Sequence, residues 1–228
     1  MTRKHKVDTL AKHHDTIGSV DIGEVKPLTI GQEKYINAIK SFKVIIAKGP
    51  AGTGKTYLAT MLALKQLNDK QIRKIIIVRP AVEVDEKLGF LPGEINDKFE
   101  PYLWPIKSIL LNIFPENFVE YLIKNKIIEA APIAYLRGRT FSNCWVLLDE
   151  AQNTTPKQMK MFVTRFGVNC KMIINGDPTQ KDINGISGLE DVIQKLSYIP
   201  SVKTISLNRE DIVRSGLVGE FIQAYEGE

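Results

Sequence analysis

The chain has 228 residues, of which 43% are apolar and 25% charged, and a formal net charge of +5 at pH 7. That balance permits a sizeable core and excludes a low-complexity chain, while the two cysteines, Cys144 and Cys170, sit beside apolar runs as reduced core residues of a cytoplasmic protein would. No apolar run approaches the roughly 18 residues of a membrane span and no cleavable signal is evident, so neither membrane nor secretion is expected.

Residues 1–26 show little apolar periodicity and are expected to form a basic, flexible arm. Arg3, Lys4, Lys6 and Lys12 stand against Asp8 alone, with His5, His13 and His14 added. Such an arm either meets nucleic-acid phosphates through non-specific electrostatics or is simply a solvated terminus. From residue 27 to 228 the pattern is that of one α/β domain. Ile30, Tyr35, Ile36, Ile39 and Phe42 recur at helical spacing, so residues 30–42 are expected to be a helix.

The apolar run Val44-Ile45-Ile46-Ala47 then leads into Gly49, Pro50, Ala51, Gly52, Thr53, Gly54, Lys55, Thr56 and Tyr57. The first eight fit GxxxxGK[ST], and a helical pattern from Tyr57 to Leu64 follows. Strand, glycine-rich turn and helix are the context that makes this pattern a phosphate site. Backbone N–H groups curl inward there, and the helix N-terminus adds partial positive charge. Lys55 is expected against the β- and γ-phosphates, with the Thr56 hydroxyl placed to hold Mg²⁺. The chain is expected to bind a nucleoside triphosphate.

Ile75–Val78 reads as a strand buried on both faces. Residues 80–116 carry Pro80, Pro92, Pro101, Pro105 and Pro115 among Phe90, Phe99, Tyr102, Trp104 and Phe114. An irregular excursion and one or two short helices are expected there. The aromatics would serve either as base-stacking surfaces or as a packed cover or subunit contact. A helix over 116–125 follows, with strands at Ile127–Ala131, Trp145–Leu148, Met172–Asn175 and Val202–Leu207. Thr155-Pro156 should open a helix that Gly167 ends, and Ser187-x-x-Glu190 should cap one running through Leu196. Strands alternating with helices predict a mainly parallel sheet covered on both faces.

The apolar strand ending in Asp149-Glu150 supplies two acids. Asp149 is expected to assist Mg²⁺, and Glu150 to orient or deprotonate the attacking water. Gly176-Asp177-Pro178-Thr179-Gln180 follows a parallel strand and so ends at the same sheet edge. Gln180 there is either a sensor of the γ-phosphate or a surface residue of a turn.

The motifs together are similar to the PhoH-like ATPase family, a branch related to superfamily 1 helicases. The resemblance spans residues 27–225 and rests on Gly49–Thr56, Val78-Arg79-Pro80-Ala81-Val82-Glu83, Leu88-Gly89-Phe90-Leu91-Pro92-Gly93, Arg137-Gly138-Arg139-Thr140, Leu148–Asn153, Gln158–Phe162, Gly176–Gln180 and Asp211-Ile212-Val213-Arg214. It implies a RecA-like fold, Mg²⁺-dependent ATP hydrolysis and a link to RNA or single-stranded nucleic acid, in the cytoplasm of a bacterial cell or a phage-infected host. Gln32 resembles the glutamine that reads adenine in helicase cores. A capping box, Thr29-x-x-Gln32, explains the same residue by helix chemistry.

Arg214 resembles the family's late arginine, an arginine finger acting on its own or a neighbouring site, or else an ion-pair partner of Asp211. The family continues this arginine with His-Pro, whereas Ser215-Gly216 follows here, and Arg209 is a second candidate. Arg137 and Arg139 would grip nucleic-acid phosphates or a neighbouring subunit, or fix the loop before the Trp145 strand through ion pairs. A single RecA-like unit lacks the second domain of a helicase. A homo-oligomer, such as a hexameric ring, would supply that surface. The rival expectation is an assembly module whose oligomeric state is set by bound ATP. A small-molecule kinase leaves Glu150, Gln180 and Arg214 without a joint role, and no intrinsic nuclease is expected.

Overall fold

The apolar runs become strands because each is covered on both faces. The computed structural model describes residues 21–80 and 100–213. Six strands, β1 (Val44–Lys48), β2 (Lys74–Arg79), β3 (Ile128–Pro132), β4 (Cys144–Leu148), β5 (Cys170–Gly176) and β6 (Val202–Ser206), form one sheet in the order β3-β2-β4-β5-β1-β6. Every neighbouring pair is parallel. The helices are α1 (Ile30–Ser41), α2 (Lys55–Asn68), α3 (Glu100–Leu111), α4 (Glu116–Lys124), α5 (Pro156–Val163) and α6 (Gly188–Leu196).

Strand β4 shows how the layers arise. All five of its residues are buried. Trp145 and Leu147 point into a core with Ile36, Leu58 and Leu122 from α1, α2 and α4. Cys144, Val146 and Leu148 point the other way, against Met159 and Phe162 of α5 and Leu189 and Val192 of α6. Alternation with both faces apolar is what a parallel strand between two helical layers requires. Cys144 and Cys170 are buried free thiols on adjacent strands.

The topology is RecA-like α/β. Strand β5 lies between β1, which carries the glycine-rich loop, and β4, which carries the two acids. All the strands are parallel, so the loops after β1, β2, β4, β5 and β6 leave from one edge. Ligands collect at such an edge.

Local sequence sets the helix ends. Thr29, Thr155 and Ser187 cap α1, α5 and α6, the last two with complete capping boxes. Lys171 closes the other end of α1 by donating to the carbonyls of Ile39 and Phe42, and burial lowers its pKa. The expectation that Gly167 ends α5 is corrected. The helix stops at Val163, where the Thr164 hydroxyl donates back to Lys160 and Met161 carbonyls. Gly167 is a glycine for another reason: a Cβ there would strike the Phe141 carbonyl.

The arm also differs from expectation at its end. Ile22 is buried against the α1–α2 core, so packing begins before Lys26-Pro27. Residues 1–20 lie outside the described residues, as do Phe90 and Phe99. Trp104 is exposed with the Lys107 ammonium over its ring, whereas Phe114 is buried. Among the described residues no helix is long and apolar enough to cross a membrane.

Candidate functional site

The loop between β1 and α2 takes its shape from glycine. Gly54 is the residue before the helix and sits in the left-handed region at φ 80°. Gly49 lies so close to the chain after β6 that an added Cβ would stand 2.5 Å from the Leu207 carbonyl oxygen. A cleft of about 300 Å³ opens over this loop. Loop residues Ala51, Gly52, Gly54, Lys55, Thr56 and Tyr57 line it, facing Asp149, Glu150 and Gln180. Three and four strands apart in sequence, these groups are neighbours in space. Thr53 is buried beneath the loop and donates its hydroxyl to the Pro50 carbonyl at 2.9 Å.

The loop's charged groups are already engaged. Lys55 Nζ donates to the carbonyls of Gly49 at 2.6 Å and Pro50 at 2.7 Å. The Ala51 N–H donates to Asp177 Oδ2 at 3.1 Å, so a carboxylate occupies part of the cradle. Asp177 in turn accepts from the Thr179 N–H and hydroxyl through Oδ1. An anion entering the cradle must therefore release Lys55 and compete with Asp177.

Thr56 and Asp149 meet at the cleft: Thr56 Oγ1 donates to Asp149 Oδ1 at 2.9 Å. A hydroxyl and a carboxylate are the hard oxygen donors that Mg²⁺ takes. Among the described residues no group of three or more His, Cys, Asp or Glu could hold a metal by itself. The cation now on Asp149 is Arg79, whose Nη2 donates to Oδ2 at 2.7 Å.

Glu150 has a left-handed backbone, φ 56° and ψ 40°. A non-glycine residue held there costs about 1–3 kcal/mol and persists only when its surroundings enforce it. Gln152 is part of that enforcement. Its Nε2 donates to Glu150 Oε2 at 2.7 Å and to the Gln180 carbonyl at 3.2 Å, while its Oε1 accepts from the Asp177 N–H at 3.0 Å. One buried amide thus joins the loop after β4 to the loop after β5. Gln180 itself is exposed at the cleft.

Gln32 is brought to the loop from below and is only 3% exposed. Its backbone N–H donates to the Thr29 hydroxyl, its Oε1 accepts from the Leu28 N–H at 2.8 Å, and its Nε2 donates to the Thr53 carbonyl at 3.2 Å. The Thr29 cap forms, but the Gln32 side chain reaches the Leu28 rather than the Thr29 N–H, so the capping box is only half made, and the same side chain braces the loop. Tyr35, one turn on, is fully buried and donates to Asn175 Oδ1 at 2.7 Å. Burial raises its pKa.

The chain returns to the site after β6. The Val213 N–H donates to the Gly52 carbonyl at 3.0 Å, one residue before Arg214, which lies outside the described residues. Asp211 is committed elsewhere: it accepts from the Thr29 hydroxyl at 2.6 Å, the Asn208 N–H at 2.8 Å and the Gly31 N–H at 3.0 Å. Burial alone would raise its pKa, but these hydrogen bonds and the charge of Lys34 outweigh burial and hold it below its ordinary value. Arg209 is exposed on the short turn Arg209–Asp211 and does not line the cleft. Arg139 pairs with Glu129 of β3, which also pairs with Lys74 at 3.2 Å, so the ion-pair reading describes its present contact. Arg137 is exposed.

Sequence reasoning gave no role to Arg79, Gln152 or Asp177. Each stands at or just after the carboxyl end of a strand, and that was the available signal.

A model of the family described as PhoH-like protein matches residues 24–226. A PhoH-like protein of Bacillus subtilis (strain 168) is 47% identical over 204 residues, covering 89% of this chain and 64% of the relative. Protein PhoH of Escherichia coli (strain K12) is 44% identical over 198 residues, covering 85% and 56%. The chain thus spans less than two thirds of either relative. Among solved structures, the Sulfolobus solfataricus SWI2/SNF2 ATPase core in complex with dsDNA is 14% identical at a TM-score of 0.43, covering 73% of this chain and 35% of that one. Bacteroides Pif1 bound to ssDNA is 14% identical at 0.39, covering 87% and 46%.

Proposed function

The chain belongs to the PhoH-like protein family and is a P-loop NTPase, and on that premise we propose that it binds ATP with Mg²⁺ and hydrolyses it to ADP and phosphate. The carrying observation is the Thr56–Asp149 contact at 2.9 Å, with Glu150 next along the same cleft wall. Lys55 and the loop N–H groups hold the phosphates, Thr56 and Asp149 hold the metal, and Glu150 takes the proton of the attacking water. The metal supplies charge neutralisation between the phosphates. Gln180 senses the γ-phosphate from the loop that Gln152 ties to Glu150.

Gln32 is the candidate for adenine. Reading the base would use the amide's second N–H and second lone pair, with its present backbone contacts retained or exchanged. Arg214 is the candidate finger, supported by the attachment of Val213 to Gly52. We place RNA or single-stranded nucleic acid as the partner and a homo-oligomer as the working form. Arg137 is the exposed cation offered to phosphates or to a neighbouring subunit.

The test is phosphate release with and without RNA. Glu150→Gln is expected to lower kcat by about 10²–10⁴-fold, the range for a lost general base, and Lys55→Ala to abolish nucleotide binding. Release unaffected by both substitutions sinks the assignment. A nucleotide-dependent change of mass on size exclusion, with negligible turnover, favours the ATP-gated assembly module instead.

A further inference from the structure

Arg79 ends β2 and faces the neighbouring acidic strand, in the register Val78↔Leu148. Its guanidinium donates through Nη2 to Asp149 Oδ2 at 2.7 Å and lies 3.9 Å from Glu150 Oε1. The other oxygen of Asp149 takes the Thr56 hydroxyl at 2.9 Å. The side chains of Arg79 and Asp149 are 22% and 7% exposed, so the pair is largely dry. Both line the cleft. Among the described residues Arg79 Nε is buried with no hydrogen-bond partner.

That last detail matters. A guanidinium has a fork of donors that matches a carboxylate with two parallel bonds. Here the fork is incompletely used, and its charge is shared between two acids that a nucleotide site needs for other work. The present pose neutralises both acids while leaving donor capacity unspent.

We propose that Arg79 is the internal stand-in for the divalent cation, exchanged for it when nucleotide is loaded. In the nucleotide-free chain it neutralises Asp149 and Glu150. With Mg²⁺ and nucleotide present, Asp149 passes from the guanidinium to the metal, and Arg79 remains in the cleft wall as an additional cation for the phosphates. The inference rests on the metal–nucleotide reading above. Its physical basis is competition. A guanidinium nitrogen and a metal ion cannot share Asp149 Oδ2 at contact distance without strong like-charge repulsion. The exchange keeps the two acids neutralised in both states and spares the chain a bare carboxylate pair.

The two roles separate in opposite directions. Without Arg79, Asp149 and Glu150 present uncompensated negative charge, which attracts Mg²⁺ and repels phosphates. Arg79→Gln is therefore expected to weaken Mg²⁺-free binding of a fluorescent ATP analogue by about tenfold, the scale of one charged hydrogen bond. The same variant should need several-fold less Mg²⁺ for half-maximal binding of the analogue. Arg79→Lys keeps the charge and should hold Mg²⁺-free binding within about twofold, a small change on that scale.

In wild type labelled with ¹⁵N-arginine, the Nε–H resonance that disappears in Arg79→Lys should shift on adding Mg²⁺ with the analogue. This readout does not depend on the folding of Arg79→Gln. Shifts of both affinities in the same direction, unchanged affinities in a folded variant, or an unmoved wild-type resonance overturn the inference alone. Wild type that binds no analogue with or without Mg²⁺ overturns the functional reading together with it.

Discussion

Gln152 does not itself line the cleft, yet its removal should be felt in the chemistry. The amide is 1% exposed and holds Glu150, Asp177 and Gln180 at once. Gln152→Ala strips the bond to the Glu150 carboxylate, and a hydrogen bond to a charged group is worth about 1.5–3 kcal/mol. If that energy holds Glu150 in its reactive pose, its loss appears in the barrier. At about 1.4 kcal/mol per factor of ten, kcat should fall roughly ten- to a hundredfold.

The KM for ATP should move much less, because Gln152 does not line the cleft. The same change leaves the buried Asp177 N–H without an acceptor, at about 1–3 kcal/mol of stability. For a chain of this size that is a fall in Tm of roughly 2–12 °C. The assay is phosphate release at saturating ATP and Mg²⁺ below the melting range, in wild-type and Glu150→Gln backgrounds. In the second background Gln152→Ala should add little, since both substitutions act through one carboxylate. An unchanged kcat, or an equal fall in both backgrounds, refutes the reasoning.

Tyr35→Phe should lower stability by about 1–3 kcal/mol, because it leaves the whole Asn175 carboxamide buried without a partner; a denaturant midpoint equal to wild type would contradict this. Asp211 gives a pH prediction. Its folded pKa lies below the ordinary 3.8, so its contribution is present above about 3.8 and lost as pH falls through the lower folded value. Asp211→Asn should therefore be less stable than wild type at pH 7, with the gap narrowing below pH 3.8. A gap that widens on acidification reverses the sign and removes the argument.

How much of this was legible in the sequence follows from the range of each interaction. The phosphate loop, its strand and its helix are local in sequence, and Gly49–Thr56 announces them without help from the rest of the chain. The capping boxes at Thr155 and Ser187 are equally local, since each closes within four residues. The strands were readable because burial on both faces leaves continuous apolar runs such as Val146-Leu147-Leu148. The end of α5 was misread because Gly167 answers to Phe141, a neighbour across space.

The sequence by itself determined which groups the site contains: a lysine, a threonine, two acids and a glutamine at strand ends. Only the tertiary structure decided what each is doing before a ligand arrives. By placing β5 between β1 and β4, it let one buried amide, Gln152, join loops 25 or more residues apart. By placing β2 beside β4, it set Arg79 on Asp149. It also committed Gln32 to Leu28 and Thr53, and Asp211 to Thr29 and Gly31. Residue identity fixes which bonds a side chain can make. Which of them it makes depends on partners that the sheet brings together from distant parts of the chain.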